Sequence, residues 1–294
     1  MAIRFDDIGN RLKAFRLASG LSADAIARRL DISRAALYRF ERGELAKIET
    51  LEKLAELLDV SVPTLLGVGV EYLPSAVAYF ERLRQIEETA SHIVVLAGPI
   101  SYLLASDAFH DHLKEVLLES IPGRMVDTKR SQDDVQRIMA ILAERKATYR
   151  KRHPTIVNLV SAAEVGRFLT NGFSGRVDLS EKVRRERRRY AKAEVEHFIA
   201  MLEDPPVDVQ IGVVPDALPQ TGFQIFRQAD RDILTISPFR LGEHPNIRVG
   251  VAMVTSAPEA LNLHQKVVRE IWGAASKGAV AAKHLSRLID MYKI

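Results

Sequence analysis

Residues Leu21 to Gly43, LSADAIARRLDISRAALYRFERG, constrain the fold more than any other stretch of the chain. They read as two short helices joined by a tight turn. Ser22 is a good N-cap for the first helix, and Ile26, Ala27 and Leu30 recur at a spacing that buries one side of it. Leu30-Asp31-Ile32 makes the turn, where an aspartate tolerates the left-handed backbone that such turns use. Ser33 caps the second helix, Ile32, Leu37 and Phe40 point inward, and Gly43 stops it. Arg34, Ala35, Tyr38, Arg39 and Arg42 are left on a nearly continuous outer face.

The flanks extend this unit. A helix over about Asp7 to Ser19 carries Ile8, Leu12 and Phe15 on one face. Leu51, Leu54, Ala55, Leu57 and Leu58 form a fourth helix. Ser61-Val62-Pro63 starts a fifth with a cap and a proline in its first turn, and Gly67-Val68-Gly69 ends the unit.

Ile8 to Gly67 resembles the Cro/repressor-type helix-turn-helix domain of the XRE family. The matching pieces are Arg11-Leu12, Arg16, Gly20-Leu21-Ser22, Ile26-Ala27, Ser33-Arg34, Glu41-Arg42-Gly43, and Thr50-Leu51 through Leu58-Asp59-Val60-Ser61. The resemblance implies a five-helix lambda-repressor-like domain that binds double-stranded DNA. It also implies that Arg16 pairs with Glu41 as a structural ion pair. Three positions depart from the pattern: Ala23 stands for a glutamine that touches phosphate, Asp31 for the turn glycine, and no Pro-Ser cap follows Gly43.

With the second helix of the turn in the major groove, Arg34 and Arg39 are the base readers. An arginine donating to guanine N7 and O6 gives roughly 1–3 kcal/mol of discrimination. Ala35 offers a methyl surface suited to thymine, while Tyr38 and Ser33 reach phosphate or a base edge. Ser22, Arg42 and Lys47 complete the expected DNA-binding set, Arg42 and Lys47 as phosphate contacts.

Composition bounds the rest. At 294 residues the chain has room for two or three domains, and a hydrophobic fraction of 47% provides a real core. The absence of cysteine removes disulfides, thiolate metal sites and cysteine nucleophiles, in keeping with a reducing cytoplasm. MAIRFDDIGN is not a signal peptide, and no apolar run reaches the roughly 18 residues of a membrane span. The expected location is therefore cytoplasmic. From Met1 to Gly67, eleven Lys/Arg face ten Asp/Glu, so DNA binding rests on where the arginines sit and not on bulk charge.

The expected division is a helix-turn-helix domain over 1–68, a linker and connecting helix over 69–91, and a mixed α/β domain over 92–294. Glu71 to Ser75 reads as linker. Ser75 to Ala90 buries Val77, Phe80, Leu83 and Ile86, and is either a docking helix against the second domain or a dimerisation helix. Beyond it, Ile93–Ala97, Thr155–Val160, Val207–Val214 and Asn246–Thr255 read as strands, and Gly222–Arg227 with Asp232–Ser237 as a hairpin. Asp107–Ser120, Ser131–Lys151, Pro258–Ala275 and Gly278–Tyr292 read as helices. Strands alternating with helices predict a mixed sheet in an α/β layer domain. This part loosely resembles the C-terminal sensor-like domains of some bacterial XRE regulators, a likeness that implies no ligand and no residue role.

Little else suggests chemistry. The basic run Glu181 to Tyr190 fits a solvated or partner-facing helix, a DNA-backbone contact or an anionic ligand site, and Arg145 to His153 reads as a solvated helix end. HExxH, GxSxG, GxxxxGK[ST] and GxGxxG are all absent from the sequence, and His110 and His112, two apart on a helix, point to different sides. The expectation is a regulator with no catalytic residues, metal or cofactor: a homodimeric repressor whose C-terminal domain senses a small molecule or a protein effector. The alternatives are an antitoxin-like repressor regulated by a protein partner, and a DNA-tethered enzyme.

Overall fold

The computed structural model describes residues 5–44, 47–99, 101–122, 128–215 and 221–292. Five helices open the chain: α1 (Phe5–Ser19), α2 (Ala23–Arg29), α3 (Arg34–Glu41), α4 (Ile48–Leu57) and α5 (Val62–Leu66). Local chemistry sets their ends. Ser22, Ser33 and Ser61 each accept a hydrogen bond from the backbone nitrogen three residues on, at 3.1, 3.0 and 3.2 Å. Asp31 turns the chain between α2 and α3 with φ of 53°, and Gly67 ends α5 in the left-handed region. Leu12, Phe15, Ile26, Leu37, Leu54 and Leu65 form the core between the five helices, each almost wholly buried and worth about 1.5–3 kcal/mol. Part of the loop after Gly43, Leu45 and Ala46, lies outside the described residues.

The chain continues as β1 (Val70–Leu73), α6 (Ala76–Glu87), β2 (His92–Leu96), α7 (Asp107–Glu119), α8 (Thr128–Arg152), β3 (Thr155–Ser161), α9 (Ala162–Asn171) and α10 (Glu181–Glu203). It ends with β4 (Val209–Val214), β5 (Gly222–Arg227), β6 (Asp232–Ser237), β7 (Ala252–Thr255), α11 (Pro258–Ala274) and α12 (Gly278–Tyr292). The strands form a seven-stranded mixed sheet in the order β1-β7-β6-β5-β2-β3-β4. β2, β3 and β4 run parallel, and β5, β6, β7 and β1 add antiparallel neighbours. An α/β domain on a mixed sheet therefore follows the helical one.

Alternation along the strands gives the sheet two apolar faces. Ile93, Val95, Ile156 and Val160 join a large core that runs without a break into the helix-turn-helix domain. Leu96, Leu159 and Phe223 face the other way and pack under Leu261 of α11.

Four expectations need correction. The expected linker Glu71–Ser75 largely forms the edge strand β1, which pairs antiparallel with β7 in the register Glu71↔Val254. The expected strand Asn246–Thr255 shrinks to Ala252–Thr255, because Asn246 Oδ1 accepts from the backbone nitrogens of Arg248 and Val249 and turns the chain there. Helix α9, absent from the sequence reading, starts without any break after β3: Ser161 ends the strand and caps the helix. Arg145 to His153 is not simply solvated, since Arg145 is buried against Glu87, and Lys146 donates to the carbonyls of Ala105 and Ser106.

Helix α6 is the hub between the two parts. All twelve of its residues are buried within the chain. It is a docking helix, and its burial leaves no face for dimerisation, the other reading open for it. Its charges survive burial because each is paired: Arg84 with Glu81 at 2.8 Å, Arg82 with Glu71 at 3.0 Å, and Glu87 with Arg145 at 2.7 Å.

Candidate nucleic-acid interface

α3 exposes Ser33, Arg34, Ala35 and Arg39 while Leu37 is fully buried. Arg42 follows as its C-cap and is exposed; Tyr38 is half-buried. The buried end of the helix is fixed from α1. Arg16 donates through Nε and Nη2 to the two oxygens of Glu41, the latter at 3.1 Å, and Glu41 is only 9% exposed. Gly9 allows this approach: a Cβ there would sit 2.5 Å from the Glu41 carbonyl oxygen.

The outward arginines are held lightly. Arg34 Nη2 donates to the Tyr38 hydroxyl at 3.3 Å, its guanidinium lies 5.4 Å from the Tyr38 ring, and Asp24 is 3.6 Å away. The Tyr38 hydrogen bond and the charge of Asp24 both favour the charged form of Arg34. Arg39 Nε lies 3.1 Å from Glu44. These are solvent-exposed pairs of the kind worth 0–1 kcal/mol, so a stronger acceptor displaces them readily. They orient the two arginines without committing them.

The other named positions fall around this face in different ways. The Ser22 and Ser33 hydroxyls accept from the first turns of α2 and α3, which leaves each one proton to donate outward. Ala23, at the position where the resemblance has a glutamine, is buried and supplies no phosphate contact. Lys47 is exposed just before α4. Arg28 and Arg29, exposed in the last turn of α2, were not singled out from the sequence, although two adjacent arginines before a turn are a readable signal. Among the described residues, Arg28, Arg29, Arg42 and Lys47 make no ion pair and are available to phosphate.

Charges seat the five-helix domain on the rest of the chain. Arg11 of α1 and Arg82 of α6 both bond Glu71 of β1, Gln85 donates to the Asn10 carbonyl at 3.0 Å, and Arg137 of α8 donates to the Leu17 carbonyl at 3.4 Å. Arg231, in the hairpin turn between β5 and β6, pairs with Asp7.

Residues 7–66 match the family described as "Helix-turn-helix domain". This stretch is a helix-turn-helix DNA-binding domain. No curated protein matches the chain. Among solved structures, the chain is similar to the protein described as "Structure of TrmBL2, an archaeal chromatin protein, shows a novel mode of DNA binding", at 13% identity and a TM-score of 0.32. That loose likeness covers 78% of this chain and 60% of the other, so the chain spans less than two thirds of that protein's length.

The remaining candidates separate from this face. In the basic run, Arg187 is buried against Glu115 and Glu119 of α7 at 2.7 and 3.3 Å, while Arg184 and Arg188 face Glu181. His110 meets the Tyr102 hydroxyl at 2.7 Å and His112 stacks on Tyr190 at 3.5 Å. No helix among the described residues is long and apolar enough to cross a membrane.

Proposed function

We propose that this chain is a sequence-specific transcription regulator of the XRE type, a homodimeric repressor that reads its operator with α3. Arg34 and Arg39 donate to base edges, Ala35 packs on a thymine methyl, Tyr38 and Ser33 take a phosphate or base edge, and Ser22, Arg42 and Lys47 hold phosphates. The observation that carries the reading is the arginine face of α3, exposed and lightly paired, on a helix whose opposite side is fixed by Arg16 and Glu41.

One recognition helix covers only a few base pairs, so two copies on half-sites about one helical turn apart supply usable affinity. The α/β domain is the sensing module and the chain performs no reaction. An effector acts by binding unequally to states with different head spacing. The seating of α1 on α6 supports this, because a shift of α6 moves the reading head with it.

The test is fluorescence anisotropy with the chain's own upstream DNA at two salt concentrations, wild type beside Arg34→Ala. A discrete site, a steep salt slope and loss of specificity in Arg34→Ala support the reading. Equal, weak and sequence-blind binding by both proteins overturns it.

A further inference from the structure

The DNA-binding reading leaves unused a cavity of about 250 Å³ beside the carboxyl ends of β2 and β3. Open α/β sheets place ligands in this position, where neighbouring strand ends diverge. Here β2 runs on into Gly98, α9 brings Glu164 and Arg167 from the end of β3, and the stretch after β6 brings Phe239 to His244 across the opening. A Cβ at Gly98 would sit 1.6 Å from Glu164 Oε2, so only glycine lets that carboxyl lie against the strand end. The volume falls just below the ~300–1,000 Å³ usual for drug-sized ligands, so the occupant is small.

The interior is amphipathic in one direction. Phe80 and Leu83 of α6 face it together with Val95 and Phe239. Set into these apolar surroundings is Arg145 of α8, 3% exposed. Its Nε and Nη2 are taken by Glu87 at 2.9 and 2.7 Å, and its guanidinium lies 5.8 and 5.9 Å from the Phe80 and Tyr102 rings. Its Nη1 donates to no acceptor among the described residues. A buried guanidinium with one nitrogen uncommitted on a cavity wall favours an anionic acceptor, because charge-assisted hydrogen bonds are about twice as strong as neutral ones.

The wall's other charges are two of each sign. It carries Arg167 and Arg240 with Glu164 and Glu243, Arg167 lying 3.5 Å from Glu164 and 3.8 Å from Glu243. Burial pushes the Glu164 carboxyl above its ordinary range, which weakens the negative side of that balance.

We propose that this cavity binds a small monocarboxylic acid, its carboxylate on Arg145 and its apolar body among Phe80, Leu83 and Phe239. The inference rests on the reading of the α/β domain as a sensing module and gives it a ligand class. It also supplies a route: α6 lines the cavity with Phe80 and Leu83, and its Arg82 holds the Glu71 to which Arg11 of the reading head is bonded.

The experiment is isothermal titration calorimetry on the full chain with benzoate, phenylacetate and hexanoate, each beside its primary amide. At least one acid is expected to bind ten-fold or more tighter than its amide. Leu241→Trp, at a half-buried position of the opening, is expected to remove that binding with an unchanged melting temperature. Arg145→Gln alone would strand Glu87 and unfold the chain, so it is paired with Glu87→Gln; the double variant should bind acid and amide alike. Silence of all three acids, equal binding of acid and amide by the wild type, or acid binding untouched in Leu241→Trp overturns the proposal. Anisotropy with DNA on the same preparation separates the two readings: acid binding without DNA binding sinks the regulator alone, and the reverse sinks the cavity alone.

Discussion

Arg11 in the first helix donates to Glu71 in the edge strand of the sheet at 2.5 Å, and both side chains are only 6% exposed. Arg82 of α6 takes the same carboxylate at 3.0 and 3.1 Å. One carboxylate therefore ties together the helix-turn-helix domain, the sheet and the central helix. Glu71 is also the first residue of the stretch that reads as a linker, so the join between the two domains is a socket.

Glu71→Gln should test that socket. It leaves two buried guanidinium groups without their carboxylate, and breaking a buried pair costs about 3–5 kcal/mol. Urea unfolding should show an unfolding free energy lowered by that amount. A loss under about 1 kcal/mol would mean that the arginines reach solvent and that the socket contributes little.

The same carboxylates set an acid limit. Burial pushes Glu71 upward, but Arg82 and Arg11 outweigh it and hold the carboxyl below its ordinary range. Burial likewise raises Glu81, and Arg84, Lys13 and Gln85 more than reverse it. Both groups are therefore lower in the folded chain than in the unfolded one. Their stabilisation is complete above the unfolded carboxyl value of about 4.3 and drains away as pH falls from there through the folded values. Calorimetric melts should drop steeply below about pH 4.5, beyond the loss below neutral pH that follows from burial lowering His92 and His110. In Glu71→Gln the drop should be shallower.

Gly67→Ala and Gly20→Ala form a matched pair. Both glycines have positive φ, 68° and 74°, so alanine carries a similar backbone penalty of about 1 kcal/mol at each. At Gly20 the new methyl would lie 3.6 Å from Arg137 Nη1, an ordinary contact. At Gly67 it would lie 2.1 Å from the Arg11 guanidinium carbon and would push that group off Glu71. Gly67→Ala should lower the melting temperature clearly more than Gly20→Ala; equal losses would show that Arg11 moves aside without cost.

What the sequence reveals tracks how local the signal is. The caps Ser22, Ser33 and Ser61 act within three residues, and the hairpin strands Gly222–Arg227 and Asp232–Ser237 face each other across a short turn, so both were legible. β1 was not, because its four residues become a strand only by pairing with β7 far along the chain. The burial of the charges of α6 was not legible either, because their partners Glu71 and Arg145 come from separate elements, which no periodicity reveals. The outward set on α3 was readable as a face. The resting contact of Arg34 on Tyr38 was not, because it depends on the side-chain conformations of both residues.

Reading and folding can be separated within α3. Arg34 and its ion-pair partner Asp24 are each 59% exposed, so Arg34→Ala should change stability by under about 0.5 kcal/mol. It should cost about 1–3 kcal/mol of preference for the operator over a scrambled duplex. Glu41→Ala should do the opposite: it strips Arg16 of its partner in a mostly buried setting, lowers stability by about 1.5–3 kcal/mol, and weakens DNA binding only as the domain melts. Arg42→Ala should leave both preference and melting temperature alone and reduce the slope of log affinity against log salt by about 1. Anisotropy with operator and scrambled duplexes across a potassium chloride series, beside thermal melts of each variant, reads all three. If Arg34→Ala weakens both duplexes equally and flattens the salt slope as Arg42→Ala should, Arg34 holds phosphate, and sequence is read elsewhere on the face.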